Sequence, residues 1–277
     1  MVRWRNPADA SSITKALVKH TSVTVISPPP PLSDNVVFGQ AIFATEDRIF
    51  ATGIEKTEDG RFLGIKWYPS RPSSIWELNV ATDAISDGLQ TPGDAYTALK
   101  IRVPGRSCRS PRVFFDKDGT PKHLFWLSNR IGGASASSTS LHVRDLVANS
   151  GDRILLDSVL DPGNEEFPGL YELNILPDPF IYNMTPSIVL QTLWGSSATI
   201  VSVSIETGVV THERLRFGGS PLEGWTVLAT DGHSQMVCSQ SSLTSPPKLV
   251  LFTLNQKGEW ASRVLESTIV SPQGKLQ

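Results

Sequence analysis

The sequence predicts an all-β protein, a partial β-propeller of about four four-stranded blades, and three observations carry that prediction. Strand-period alternation dominates: Trp76, Leu78 and Val80 alternate with Glu77 and Asn79, and Val201, Val203 and Ile205 alternate with Ser202 and Ser204. Helical spacing persists only for short stretches such as Ile13 to Val18. The strands also repeat, and a long-period repeat changes the whole architecture.

The repeat is clearest in a six-residue strand that occurs as IWELNV from Ile75, LHVRDL from Leu141, IVSVSI from Ile200 and LVLFTL from Leu249, with starts 66, 59 and 49 residues apart. Each leads through a turn into a further β-prone run, such as ETGVVTHERL after Ile205 or NQKGEWASRVL after Leu254. Gly208 and Gly258 suit those turns because glycine enters positive φ without steric cost. Upstream lies a second hairpin with an acidic turn, seen as AIFATEDRIFATGI from Ala41, SPRVFFDKDGTPKHLFWL from Ser110 and GWTVLATDGHSQMVCS from Gly224, and less regularly from Pro177. Two hairpins make a four-stranded blade, which must stack on neighbours to bury both faces. The expected organisation is an N-terminal segment with a proline-rich connector over residues 1–35 and a partial propeller over 36–277.

Between the strands lie long loops. Pro28 to Pro31 is a stiff connector, Gly132 to Ser140 a flexible Gly/Ser loop rather than a phosphate cradle, and Asp161 to Gly169 a further loop. Trp67, Trp76, Trp126, Trp194 and Trp225 each fall in or beside a strand, where large aromatics fill the wedge between blades.

Composition narrows the partners. With 25 basic against 27 acidic residues and a net charge of -2, the chain has no general attraction to nucleic acid or anionic membrane. The stretch Met1 to Asn6 is polar and basic with no apolar region behind it, and the longest apolar run, Leu249 to Leu254, is far short of a membrane span. Two cysteines, Cys108 and Cys238, make no disulfide framework, so the expected compartment is the cytosol.

A search for reactive chemistry ends without a site. No G-x-S-x-G elbow occurs; the nearest string, Gly232-His233-Ser234-Gln235-Met236, leads into a strand and reads as a turn. His20, His123, His142, His212 and His233 are scattered singly and read as structural or surface residues. Asp116-Lys117-Asp118-Gly119 lacks the later ligands of a calcium loop and reads as a tight turn, while Glu165 and Glu166 are neighbours that point apart in an extended segment. No residue is therefore assigned to catalysis, to a metal or to a cofactor.

Several stretches, in order, resemble the propeller of the acylaminoacyl peptidases, a serine peptidase family of the prolyl oligopeptidase clan. They are GQAIFATEDRIFATGI from Gly39, RFLGIKWYPSRPSSIWELNV from Arg61, SPRVFFDKDG from Ser110, GLYELNILPDPFI from Gly169 and SSLTSPPKLVLFTL from Ser241. The resemblance implies a propeller that caps an α/β-hydrolase domain and restricts access by size, while that domain carries a Ser-Asp-His triad and removes N-acylated residues from short peptides. No triad residue can be carried onto this chain, which implies a truncated, noncatalytic portion of such a hydrolase whose peptide substrates are met through the missing domain. A stand-alone propeller scaffold that holds a protein or peptide is the alternative. Four blades of a larger ring also leave two flanks open, expected to be lined by Phe43, Ile49 and Phe50 at one end and Val250 and Phe252 at the other. Such flanks predict self-association or pairing with a hydrolase-bearing chain.

Overall fold

A computed structural model describes residues 32–63, 70–80, 96–134, 136–148, 151–163, 166–172, 174–183, 185–213 and 223–267. The Ile13–Val18 stretch, His20, the Pro28–Pro31 connector, Trp67 and Glu165 lie outside the described residues. A single helical turn, α1 (Leu32–Asn35), leads into β1 (Val36–Phe43). With β2 (Arg48–Glu55), β3 (Ser73–Val80) and β4 (Tyr96–Ile101) it forms a four-stranded sheet in chain order, blade 1. Blade 2 holds β5 (Arg106–Phe115), β6 (Pro121–Arg130), β7 (Ser140–Asp145) and β8 (Arg153–Leu156). Blade 3 holds β9 (Phe180–Asn183), β10 (Thr185–Trp194), β11 (Ser197–Ser204) and β12 (Val210–His212). Blade 4 holds β13 (Glu223–Thr230), β14 (Gln235–Ser242), β15 (Lys248–Leu254) and β16 (Trp260–Ser267). Every neighbouring pair is antiparallel, so each blade is a simple meander and the chain is a partial propeller. Among the described residues no helix is long and apolar enough to cross a membrane.

Short polar side chains close the hairpins by taking backbone N–H groups that would otherwise be orphaned. Asp116 Oδ1 accepts from the N–H groups of Asp118 (3.0 Å) and Thr120 (2.8 Å), with Gly119 at φ 78°, which is the tight turn read from the sequence. Asp231 Oδ1 accepts from His233, Ser234 and Gln235, each at 2.8 Å. The loop after Gly132 departs from its expected flexibility. Asn129 Nδ2 donates to the Ser137 hydroxyl (3.1 Å) and to the Ser137 and Ser138 carbonyls (3.3 Å each), so its last residues are buried and fixed.

Alternation gives each sheet two apolar faces: an upstream face toward the preceding blade and a downstream face toward the next. Phe50, Ile75 and Ile101 of blade 1 pack on Cys108, Val113, Leu124 and Trp126 of blade 2. Blade 2 in turn lays Phe125, Leu127, Leu141 and Val143 against Ile188, Leu190, Val201 and Val203 of blade 3. Ile181, Val189 and Ile200 then meet Trp225, Met236, Cys238, Val250 and Phe252 of blade 4. At ~25 cal/mol per Å² of apolar surface removed from water, these three wedges supply the main driving force for folding. They also correct the flank assignment. Phe50 (0% exposed), Val250 (3%) and Phe252 (1%) are core residues facing inward, because they sit on the covered face of their sheets, whereas Phe43 is half exposed and Ile49 half-buried on the open one. No core cluster of the described residues joins blade 4 to blade 1.

Candidate functional site

The first strands carry much of the packing between blades: β5 packs on β1, β2 and β3, and β13 on β10 and β11. Register shifts interrupt β1 between Gly39 and Ile42, β5 between Arg109 and Arg112, and β13 between Val227 and Ala229. Such bulges re-aim side chains out of the ladder. At the first two, non-glycine residues take left-handed backbone: Gln40 at φ 46° and Ser110 at φ 59°. That conformation costs of order 1–3 kcal/mol and persists only where surrounding contacts over-determine it.

The contacts are present. Gln40 Oε1 accepts from the Ser110 N–H (3.0 Å) and the Thr52 hydroxyl (3.2 Å), while Gln40 Nε2 donates to Asn174 Oδ1. Ser110 Oγ accepts from the Ile175 N–H at 2.9 Å. Two arginines of β5 complete the seam. Arg109 donates to Asn129 Oδ1 (2.5 Å) and the Glu172 carbonyl (3.1 Å), and Arg112 to the carbonyls of Ile175, Leu176 and, at 2.6 Å, Pro111. Burial pulls the Arg109 guanidinium down to about 10 and lowers Arg112 in the same direction. Blade 1, blade 2 and the connector around Glu172 to Leu176 are thus locked at one polar seam, with the carboxamides of Gln40 and Asn174 exposed on its surface.

Nothing local in the sequence joins Gln40, Arg109, Ser110 and Arg112 as a unit. Two signals were available: Ser110-Pro111 inside a strand, where proline removes a ladder N–H, and arginines at 109 and 112 just before the apolar Val113-Phe114-Phe115.

The hydroxyl–imidazole pairs lie elsewhere. Ser128 Oγ and His142 Nε2 are 2.6 Å apart, Thr199 Oγ1 and His212 Nε2 2.8 Å apart. Each imidazole stacks on a tryptophan, His142 on Trp126 (5.2 Å between centroids) and His212 on Trp194 (4.3 Å). Trp126 is buried as expected, and so are Trp76 and Trp225, while Trp194 is half-buried at the edge of its wedge. Ser128 is 0% and His142 2% exposed, and Arg106 Nε also donates to Ser128 Oγ at 2.9 Å. Burial first, then the Arg106 charge, lower His142 to about 4, so it is a neutral packing group. Ser234 sits in the Asp231 turn, and His233 beside it lies tilted at 50° to the Tyr182 ring, 5.5 Å between centroids. Both thiols are buried, and burial pushes each up to about 12. Among the described residues no group of three or more His, Cys, Asp or Glu side chains is placed to hold a metal ion.

The family described as "Acylamino-acid-releasing enzyme, N-terminal domain" matches residues 31–277. An acylamino-acid-releasing enzyme of Arabidopsis thaliana is 30% identical over 200 residues, covering 68% of this chain and 24% of that protein. Acylamino-acid-releasing enzyme 2 of Oryza sativa subsp. japonica is 31% identical over 202 residues, covering 67% of this chain and 25% of that protein. This chain therefore spans about a quarter of the length of the relatives it matches. Among solved structures, TolB from Acinetobacter baumannii aligns with a TM-score of 0.35 and 12% identity, over 69% of this chain and 37% of that chain.

Proposed function

The chain belongs to the acylamino-acid-releasing enzyme family through its N-terminal domain, and from that premise we propose that it is the noncatalytic, substrate-gating propeller portion of such a serine hydrolase. The single observation that carries this reading is the family match over residues 31–277. The local chemistry agrees with it. Acyl transfer needs a nucleophile and a base open to substrate, with donors aimed at the developing oxyanion. Ser128 and His142 have hydrogen-bonding geometry but no exposed surface, so a peptide carbonyl has no route to the hydroxyl. In the complete enzyme the nucleophile belongs to an α/β-hydrolase domain, N-acylated residues are released from short peptides, and this propeller sets the size limit, in the cytosol.

The test grafts this chain in place of the matching quarter of the Arabidopsis relative and compares cleavage of an acetylated dipeptide with cleavage of an acetylated thirty-residue peptide. We expect the chimera to cleave the short substrate and spare the long one. Equal cleavage of both would remove the gating role. The isolated chain should leave acetyl-alanyl p-nitroanilide intact; hydrolysis abolished by Ser234→Ala would overturn the noncatalytic assignment. A second reading, a stand-alone scaffold that holds a peptide, is favoured by the completeness of the blades, each of which takes all its strands from consecutive chain.

A further inference from the structure

The connector that leads from blade 2 into blade 3 carries no helix or strand among its described residues 169–172 and 174–176, yet side chains of three blades hold it. From blade 2 and the loop within it, the Thr139 N–H donates to the Leu170 carbonyl at 2.7 Å, Arg109 to the Glu172 carbonyl at 3.1 Å, and Arg112 to the carbonyls of Ile175 and Leu176, while Ser110 Oγ accepts from the Ile175 N–H at 2.9 Å. From blade 3, Thr192 Oγ1 donates to the Gly169 carbonyl (2.7 Å) and accepts from the Tyr171 N–H (3.1 Å), and the Gln191 N–H donates to Glu172 Oε2 (3.1 Å). Blade 1 reaches the connector through Gln40 Nε2, which donates to Asn174 Oδ1.

Segments that swing as lids come from the least protected parts of a fold, with few buried apolar contacts and backbone groups open to water. This connector has the opposite character: Leu170 and Ile175 are 0% and 2% exposed, and its backbone groups are taken by fixed partners. Its place matters as well. β1, β5 and β13 are edge strands of their sheets, and β5 and β13 pack on the blade before them, which marks this edge as the one where blades converge on the propeller's axis. Gln40 and Ser110 stand at the bulges of β1 and β5, so the connector that they hold borders that axis.

We propose that this connector is a fixed rim of the propeller's central passage, positioned from blade 1 by Gln40, so that the size limit comes from a rigid opening and not from a moving lid. The proposal rests on the gating role inferred above. Gln40 suits this part because its one carboxamide spans three elements: Oε1 accepts from the Ser110 N–H of β5 and the Thr52 hydroxyl of β2, while Nε2 holds Asn174. Its left-handed backbone persists because the side chain is pinned at its far end.

Hydrogen exchange on the 277-residue chain, read by mass spectrometry in fragments covering 169–176 and β10 to β11, tests the rim. In the wild type the connector should exchange as slowly as the strands beside it. Asn174→Ala, at an exposed side chain, leaves Gln40 its bonds to Ser110 and Thr52 and should speed exchange of the connector about tenfold without changing β10 or β11. Gln40→Ala should speed it further. A wild-type connector that exchanges like an open loop, or one whose exchange neither variant alters, would overturn the rim. In the chimera with the Arabidopsis relative, Asn174→Ala should raise cleavage of the thirty-residue peptide relative to the dipeptide severalfold, and an unchanged ratio would overturn the rigid limit. The gating role fails separately: a wild-type chimera that cleaves both peptides alike removes it and the size limit with it, while exchange still decides whether the connector is fixed.

Discussion

Blade 2 and blade 4 share a strand pattern and differ in what surrounds it. Blade 2 is sealed on both faces, and its upstream side hides polar groups, Ser128 and His142, beside Trp126. Blade 4 is sealed on one face by a wedge that is almost wholly apolar, built on Trp225, Val227, Met236, Cys238, Val250 and Phe252. The Leu-x-Val of β7 and the Leu-x-Leu of β15 are alike as sequence, yet one is core and the other half-open. Burial of a propeller strand is therefore set by the neighbouring blade more than by the strand itself.

The largest expected effect breaks the two blades apart. Leu141→Ala leaves a cavity in a sealed wedge and should cost ~2–5 kcal/mol, whereas Leu249→Ala in dilute solution should cost no more than about 1 kcal/mol. Chemical denaturation of the two variants measures the contrast. Equal costs would mean that the two faces are equally covered.

The same contrast explains what the residues disclosed in advance. Alternation at Trp76 to Val80 and Val201 to Ile205 located β3 and β11, and the repeated hairpins located the blades, because both signals are local. Which apolar face meets a neighbour is not local. Both faces of a blade strand are apolar, so the sequence does not distinguish the covered side, to which Phe50, Val250 and Phe252 belong, from the open one. The polar seam was hidden for a different reason. A bulge has no hydropathy signature, and Gln40 and Ser110 meet only across a separation of seventy residues.

Acid should distinguish the blades next. His142, hydrogen-bonded to Ser128 and stacked on Trp126, is held near 4 against an ordinary value of 6.5. The unfolded chain takes up a proton as pH falls below about 6.5, and the folded chain does not until about 4. Stability from this group is thus present above pH 6.5 and is lost progressively down to pH 4, by roughly 3 kcal/mol in all. Unfolding midpoints measured from pH 7 to pH 4 should fall, and His142→Gln should flatten that fall. A variant with the same acid profile as wild type would move the cause to other groups. Blade 4 buries no histidine in its wedge and should add nothing to this slope.

The smallest effect tests the open side of blade 1. A methyl group at Gly53 would lie 2.4 Å from Trp76 Nε1 and 2.7 Å from a Val36 methyl, so the indole packs directly on a bare backbone. At Gly39, a position on the neighbouring strand, a methyl meets nothing within 4 Å. Gly53→Ala should push the Trp76 ring outward and cost ~1–3 kcal/mol, while Gly39→Ala should be nearly silent. The displaced ring would also disturb the cavity beside Glu55 and Lys100, so tryptophan emission and stability should change together in Gly53→Ala. A loss of stability with tryptophan emission unchanged would show that the cost arises in the backbone at Gly53 and not at the Trp76 ring.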